Sequence, residues 1–249
     1  MKRSVIGAAL ALLLFGHSDI QAQEILYQTG FEPGEGYSLG TLAGQQGWVG
    51  SNLSQVQNSV VKSGTQAVSI AMSGQTGQFL AFRGFTPSTT RWVSVSIDAL
   101  LSSAGTLNNW VVLAVYGTGS QFVGQIVVLT ASGTPSATLG LASGTVGEVP
   151  VPLGVWNTFR FDLDTTDHIM TASVNGQLIG SGAFATPTSS IGNLLFGSNA
   201  FSTKTGSFDN VVVTAIPEPS PVVLFGTLLP LAGVVARTAT RQSSGRRRS

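Results

Sequence analysis

The sequence predicts an all-β chain folded as two packed antiparallel sheets, and three observations lead there. Between residues 23 and 216 the apolar residues recur with period two rather than 3.6. Gly, Asn, Ser or Pro interrupts that pattern every several residues. The segments so delimited number about a dozen, and a single open sheet of so many short strands would leave one face wet.

The strands follow from the pattern in order. Ile25 to Thr29, Val56 to Val61, Gln66 to Met72 and Phe79 to Phe85 are short β-rich runs between turn residues. In Trp92 to Leu100, Val93, Val95, Ile97 and Ala99 share one face, and Ser94, Ser96 and Asp98 share the other. Trp110 to Tyr116, Phe122 to Thr130 and Ala137 to Leu141 come next. Trp156 to Leu163 repeats the alternation, with Phe159, Phe161 and Leu163 inward and Arg160 and Asp162 outward. Asn175-Gly176 joins Ile169 to Val174 with Gln177 to Ser181, because both residues tolerate the positive φ of a type I′ hairpin turn. Leu194 to Phe196 and Phe208 to Thr214 complete the set.

The formal net charge of +1 hides a split. From Gln23 to Ile216 five Lys and Arg face nine Asp and Glu, leaving about −4. A mildly acidic domain without basic clusters lacks what phosphates demand, so nucleic acid is excluded as a partner. The chain has no cysteine. Thiol chemistry, disulfides and cysteine-ligated metals are therefore excluded, and some 190 residues suffice for one core without staples.

The two ends read differently from the middle. Lys2 and Arg3 precede an apolar run from Val5 to Phe15, and Ala22 fits the position before a cleavage, with Ile20 two residues upstream. The run falls short of the roughly 20 apolar residues that cross a bilayer. Residues 1–22 are thus expected to be a removed signal peptide, which leaves a domain over 23–215.

Residues 216–249 contain Pro217-Glu218-Pro219, the apolar stretch Val222 to Ala236, and a basic tail over 237–249 with Arg237, Arg241, Arg246, Arg247 and Arg248. As a helix, 222–236 would rise about 22 Å, a marginal single transmembrane span. The arginines are expected to stay on the cytoplasmic side, with the domain outside. A plain single-span anchor is the alternative.

These residues resemble the PEP-CTERM sorting signal. The resemblance implies that Pro217, Glu218 and Pro219 are the recognition motif of an exosortase-type processing enzyme. It also implies an inner-membrane intermediate, removal of the tail, and release to the cell surface or extracellular matrix of a Gram-negative bacterium that makes exopolysaccharide. Pro230 interrupts the span, and Thr238 to Gly245 separates the first arginine from the final cluster, both departures from that pattern.

The middle is similar to the concanavalin A-like, laminin-G-like jelly rolls. The residues that carry the likeness are Gly30-Phe31-Glu32, Gly44-Gln45-Gln46-Gly47-Trp48, Ser63-Gly64-Thr65-Gln66-Ala67, Trp156 to Gly180 and Phe208-Asp209-Asn210-Val211. The family resemblance implies carbohydrate or protein binding in many members and catalysis in some.

Few residues could do chemistry. His168 is the single histidine after the leader, and beside Asp167 in a polar turn it reads as a loop residue. Gly36-Tyr37-Ser38-Leu39-Gly40 matches G-x-S-x-G, but no helix follows to make the nucleophile elbow. Asp162 and Asp164 lie two apart on a strand, with Asp167 beyond, as a glycosidase pair could; a charged strand end entering a turn is the favoured reading. No catalytic residue is assigned.

Glu32 and Asp209 are the candidate metal ligands. If the first and last strands pair antiparallel, both carboxylates meet at one edge, where hard oxygens suit a structural Ca²⁺. Similar jelly-roll modules hold calcium at comparable positions; two unrelated surface acids remain the alternative. Trp48, Trp92, Trp110, Trp156 and Tyr116 are available as sugar platforms, and none is singled out. The function expected is a non-enzymatic carbohydrate-binding or matrix-associated module. The alternatives are a carbohydrate-active enzyme of the same fold and a passive structural or adhesive surface protein.

Overall fold

In the computed structural model, residues 23–71, 78–88, 90–102, 110–129, 134–199 and 205–216 are described. The expected leader, sorting motif, span 222–236 and basic tail lie outside them. Among the described residues sixteen strands follow in chain order. They are β1 (Glu24–Thr29), β2 (Gly40–Thr41), β3 (Trp48–Gly50), β4 (Ser54–Gln57), β5 (Ala67–Ala71), β6 (Gln78–Ser88), β7 (Trp92–Leu101) and β8 (Trp110–Gly117). After them come β9 (Phe122–Leu129), β10 (Ser136–Leu141), β11 (Gly144–Pro150), β12 (Trp156–Asp164), β13 (Ile169–Val174), β14 (Gln177–Ala183), β15 (Ile191–Asn199) and β16 (Thr205–Ile216). A single 3₁₀ turn, Pro33–Glu35, is the helical structure among the described residues, and no helix there is long and apolar enough to cross a membrane.

The strands form an antiparallel sandwich, a concanavalin A-like jelly roll. One sheet runs β14-β13-β12-β7-β16-β5-β4-β2, and β1 also pairs with β16. The other runs β11-β10-β9-β8-β15-β6-β3. The alternation in β7 and β12 builds the inner face of the first sheet: Val93, Val95, Ile97, Ala99, Phe159, Phe161 and Leu163 are all buried. Phe196 of β15 stacks on Phe208 of β16 at 4.5 Å, joining the sheets at the centre. Truncating a ring so enclosed to Ala costs about 3–5 kcal/mol.

Asn175 and Gly176 have φ of 49° and 77°, the type I′ hairpin that their identities require. Other boundaries move. The strand expected over Val56 to Val61 is β4, Ser54–Gln57, because the Gln57 Oε1 accepts the Ser59 and Val60 amides and turns the chain away. β2 and β3 are too short to show a period. β11 has an exposed pattern without alternation, since it is an edge.

β16 has the property that creates the site described next. Its first four residues pair with β5, and Val211 to Ala215 pair with β1. On its other side it pairs with β7 throughout, with a bulge between Asp209 and Val212. Asp209 and Asn210 therefore fall where one neighbour has ended and the next has not begun.

Candidate functional site

At that gap the segment 62–66 covers β16, and carboxylates satisfy its amides where a strand would otherwise do so. Asp209, fully buried, accepts the Lys62 and Ser63 amides on Oδ2 at 3.0 and 3.1 Å and the Asn210 amide on Oδ1 at 2.8 Å. Glu32 reaches the same segment from the end of β1. It accepts the Thr65 amide at 2.9 Å, the Thr65 hydroxyl at 2.6 Å and the Gln66 amide at 3.2 Å. Phe31, at φ 61°, turns the chain there, and Glu35 holds the turn by accepting from the Gly30 and Glu32 amides and the Thr29 hydroxyl. Gly64 is required: its φ is 68°, and a Cβ would lie 2.1 Å from Glu32 Oε1.

Glu32 and Asp209 thus grip one segment, close enough for the Glu32 charge to act on Asp209. Burial pushes Asp209 up to about 6 despite its three amide donors, and the Glu32 charge adds to the rise. For Glu32, partial burial is outweighed by the Thr65 hydroxyl and the Thr65 and Gln66 amides, which hold it below the usual carboxylate range. Asn210 extends the network: its Oδ1 accepts the Ser63 hydroxyl at 2.8 Å, and its Nδ2 donates to Asp98 at 2.9 Å. Among the described residues no group of three His, Asp or Glu is arranged to hold a metal ion. Near Gly30 lie Asp209 Oδ1 and Asn210 Oδ1, each 3.8 Å from where a Cβ would stand, and the Glu32 Cγ at 3.6 Å.

Asp162, Asp164 and Asp167, at the end of β12 and just beyond it, are tied to arginines. Arg91 forks onto Asp164 at 2.9 and 3.1 Å and reaches Asp167 at 2.8 Å, and Arg160 pairs with Asp162 at 2.6 Å. Hydrogen bonds from Arg91, opposed by burial, bring Asp164 down to about 2. A general acid needs the reverse shift. His168 packs edge-on to Phe184 at 5.8 Å. Ser38 follows the 3₁₀ turn, where its amide donates to the Gln45 side chain at 2.8 Å, and neither strand nor helix flanks it as an elbow requires.

The outer face of the second sheet carries a feature that the sequence alone did not single out. Register places Val49, Phe82, Leu195, Ala114, Gln125 and Gly140 in one row across β3, β6, β15, β8, β9 and β10. The adjacent row holds Gly84, Asn193, Tyr116 and Phe122. Phe82, Tyr116 and Phe122 pack with Val111, Ala114 and Leu195 as an apolar cluster separate from the main core. The Tyr116 ring lies 6.2 Å from Phe82 and 5.6 Å from Phe122. All three rings are partly exposed.

Two amides flank these rings, with glycines leaving room for them. A Cβ on Gly84 would lie 3.1 Å from Asn193 Oδ1, and one on Gly140 would lie 2.9 Å from Gln125 Cγ. Only Arg83 and Glu148 are charged within the seven strands; Arg83 points between the sheets, and Glu148 is on the edge strand β11. Of the tryptophans expected as platforms, Trp48 and Trp110 are fully buried, and Trp92 lies under the Arg91 guanidinium.

The sequence matches no protein-family model and no curated protein. Solved structures share the fold. A carbohydrate esterase from the Shiga toxin-encoding bacteriophage phi24B superposes with a TM-score of 0.56 at 12% identity, over 79% of this chain and 100% of that one. SCLam, a non-specific endo-beta-1,3(4)-glucanase from family GH16, gives 0.52 at 14% identity, over 79% and 92%. The cellulose induced protein Cip1 gives 0.51 at 17% identity, over 77% and 98%. At such identities the likeness establishes the jelly-roll architecture and leaves function to the site.

Proposed function

We propose that this chain is an exported surface or extracellular module that binds a polysaccharide across the outer face of its second sheet and does not cleave it. The observation that carries the reading is the Phe82, Tyr116 and Phe122 cluster flanked by Asn193 and Gln125. Aromatic rings match the C–H faces of pyranoses, and side-chain amides can donate to and accept from hydroxyls. The absence of charge on that face favours a neutral glycan.

Acid chemistry has little to work with on this sheet. Besides Glu148, neither its strands nor the segments 72–77, 103–109, 130–133 and 200–204 contain an Asp or Glu. A glycosidase needs two carboxylates flanking the bond. The sorting route rests on the sequence: the leader, Pro217-Glu218-Pro219, the short apolar stretch and the arginines support delivery through an exosortase-type enzyme into an exopolysaccharide setting.

Calcium belongs to the proposal as a structural ion. Three points support it: Asp209 Oδ1 accepts one amide and keeps a lone pair, Glu32, whose oxygens would exchange loop amides for the ion, places a second negative charge nearby, and the atoms are hard oxygens. The ion would be held by Glu32 and Asp209 and would neutralise two carboxylates that now repel.

The test is pull-down on insoluble and soluble polysaccharides by residues 23–216, which lie within a compact unit, beside a glycan array. Retention on a neutral polysaccharide that falls at least about tenfold in Tyr116→Ala, with no release of reducing ends, is expected. Retention unchanged by Tyr116→Ala would overturn the assignment of the face, and hydrolysis of a β-glucan lost on Asp162→Asn would replace binding by catalysis.

A further inference from the structure

Arg83 differs from the other arginines of the described structure. Arg91 and Arg160 are paired with aspartates, whereas Arg83 reaches no carboxylate among the described residues. It leaves β6 opposite Trp48 and Leu194 and enters the gap between the sheets. There its guanidinium lies over the Tyr27 ring, 5.3 Å from the centroid. Nε is buried without an acceptor. Nη1 lies against Gly47, an exposed residue at φ 78° whose Cβ, if present, would come within 2.0 Å of it.

Around it the Tyr27 hydroxyl oxygen takes a hydrogen bond from Arg83, and the other groups are donors. The Trp48 indole N–H donates to the Tyr37 hydroxyl at 2.9 Å, and the Tyr37 and Tyr27 hydroxyls are 3.3 Å apart. One indole N–H and two phenol O–H groups share two phenol oxygens as acceptors, so one phenol proton is left over whichever tyrosine donates to the other. Burial, with the Tyr37 hydrogen bond, raises the Tyr27 hydroxyl and outweighs the opposing hydrogen bond and charge of Arg83, so it keeps its proton and remains a donor. The Glu32 and Glu35 carboxylates that follow β1 are occupied by loop amides and the Thr29 and Thr65 hydroxyls. The corner between β1, β3 and β6 therefore concentrates positive charge and spare protons without an anion.

The geometry points to an anion site at Arg83 and Tyr27 that takes the carboxylate of a uronic-acid residue. A guanidinium presents a planar fork of N–H donors, and a carboxylate is the planar acceptor that matches it. The exposed Gly47 leaves the approach without a side chain, and the Tyr27 ring supplies an apolar floor that strengthens the ion pair by excluding water. This site is separate from the outer face of the second sheet, because Arg83 points to the opposite side of β6 from Phe82.

The test uses trigalacturonate and its methyl ester on the purified protein, by calorimetry and thermal shift. Wild type is expected to bind the acid at least about tenfold more tightly than the ester, in a salt-sensitive way. Arg83→Gln is expected to abolish that preference, Arg83→Lys to keep part of it, and Tyr27→Phe to weaken the acid about three- to tenfold. Tyr116→Ala should leave trigalacturonate binding unchanged, so failure on the outer face and failure here are distinguishable. Equal binding of acid and ester, loss of acid binding in Tyr116→Ala, or equal competition by inorganic phosphate at matched ionic strength would overturn the assignment. If Arg83→Gln does not fold, the acid-to-ester ratio in wild type and Tyr27→Phe decides the matter.

Discussion

Asp98 and Asp209 face each other across β7 and β16, and Asn210 joins them, donating its side-chain Nδ2 to Asp98 at 2.9 Å and its amide to Asp209 at 2.8 Å. Asn210 can do both because it sits in the bulge at φ 49°, a conformation that Asn tolerates better than most residues. Thr158 of β12 donates its hydroxyl to the other Asp98 oxygen, so the polar network runs across three strands.

Asn210→Gly keeps the backbone conformation and removes the bridge. A hydrogen bond to a buried carboxylate contributes about 1.5–3 kcal/mol, so stability in urea should fall by that amount. A loss below about 0.5 kcal/mol would show that the bridge is incidental.

The pH response of Asp209 has a definite sign. Its folded value, about 6, lies above the ordinary aspartate value of 3.8, so its favourable contribution is complete below about pH 4 and is lost as pH rises through 6. Asp164, held at about 2, behaves oppositely: its contribution is present above pH 3.8 and disappears as pH falls toward 2. Melting temperatures between pH 4 and 7 should therefore show a downward component in wild type that is missing in Asp209→Asn. Identical slopes in the two proteins would contradict the assignment.

Calcium should act on the same pair. At pH 7 and 100-fold above its dissociation constant the ion would add about 2.7 kcal/mol, and the gain should shrink near pH 4.5 as Asp209 takes up a proton. Glu32→Ala should remove the gain. A melting temperature indifferent to calcium at pH 7 would eliminate the metal.

Gly147 closes the sandwich where β11 approaches β14. With φ 67° and a virtual Cβ 1.7 Å from the Ile179 carbonyl oxygen, it admits no side chain. Gly147→Ala should cost about 2 kcal/mol or more in denaturant unfolding, whereas Gly144→Ala, which meets nothing within 4 Å, should lose only what its positive φ imposes.

Mass spectrometry of the protein recovered from its native host checks the sorting route. Removal of the tail close to Pro217 is expected. An intact Arg246, Arg247 and Arg248 in the surface form would leave a simple anchor.

The sequence by itself determined the strands and their faces wherever a strand is long and half-buried. Period two in Trp92 to Leu100 and in Trp156 to Leu163 sorted Ile97 and Phe161 from Ser96 and Asp162, because successive side chains point to opposite faces whatever the strand pairs with. It also fixed the Asn175-Gly176 turn, since backbone φ is a local property. It was silent on β2, β3 and β11, which are too short or too exposed to alternate.

Only the tertiary structure decided which side chains meet. Phe82, Tyr116, Phe122 and Leu195 come from four strands and form one cluster through strand order and register, and Arg83 reaches Tyr27 only because β6 and β1 belong to facing sheets. The meeting of Glu32 and Asp209 on 62–66 depends likewise on the gap between β5 and β1 along β16. Pairing is a non-local choice, made by burial summed over both sheets, and no local pattern records it.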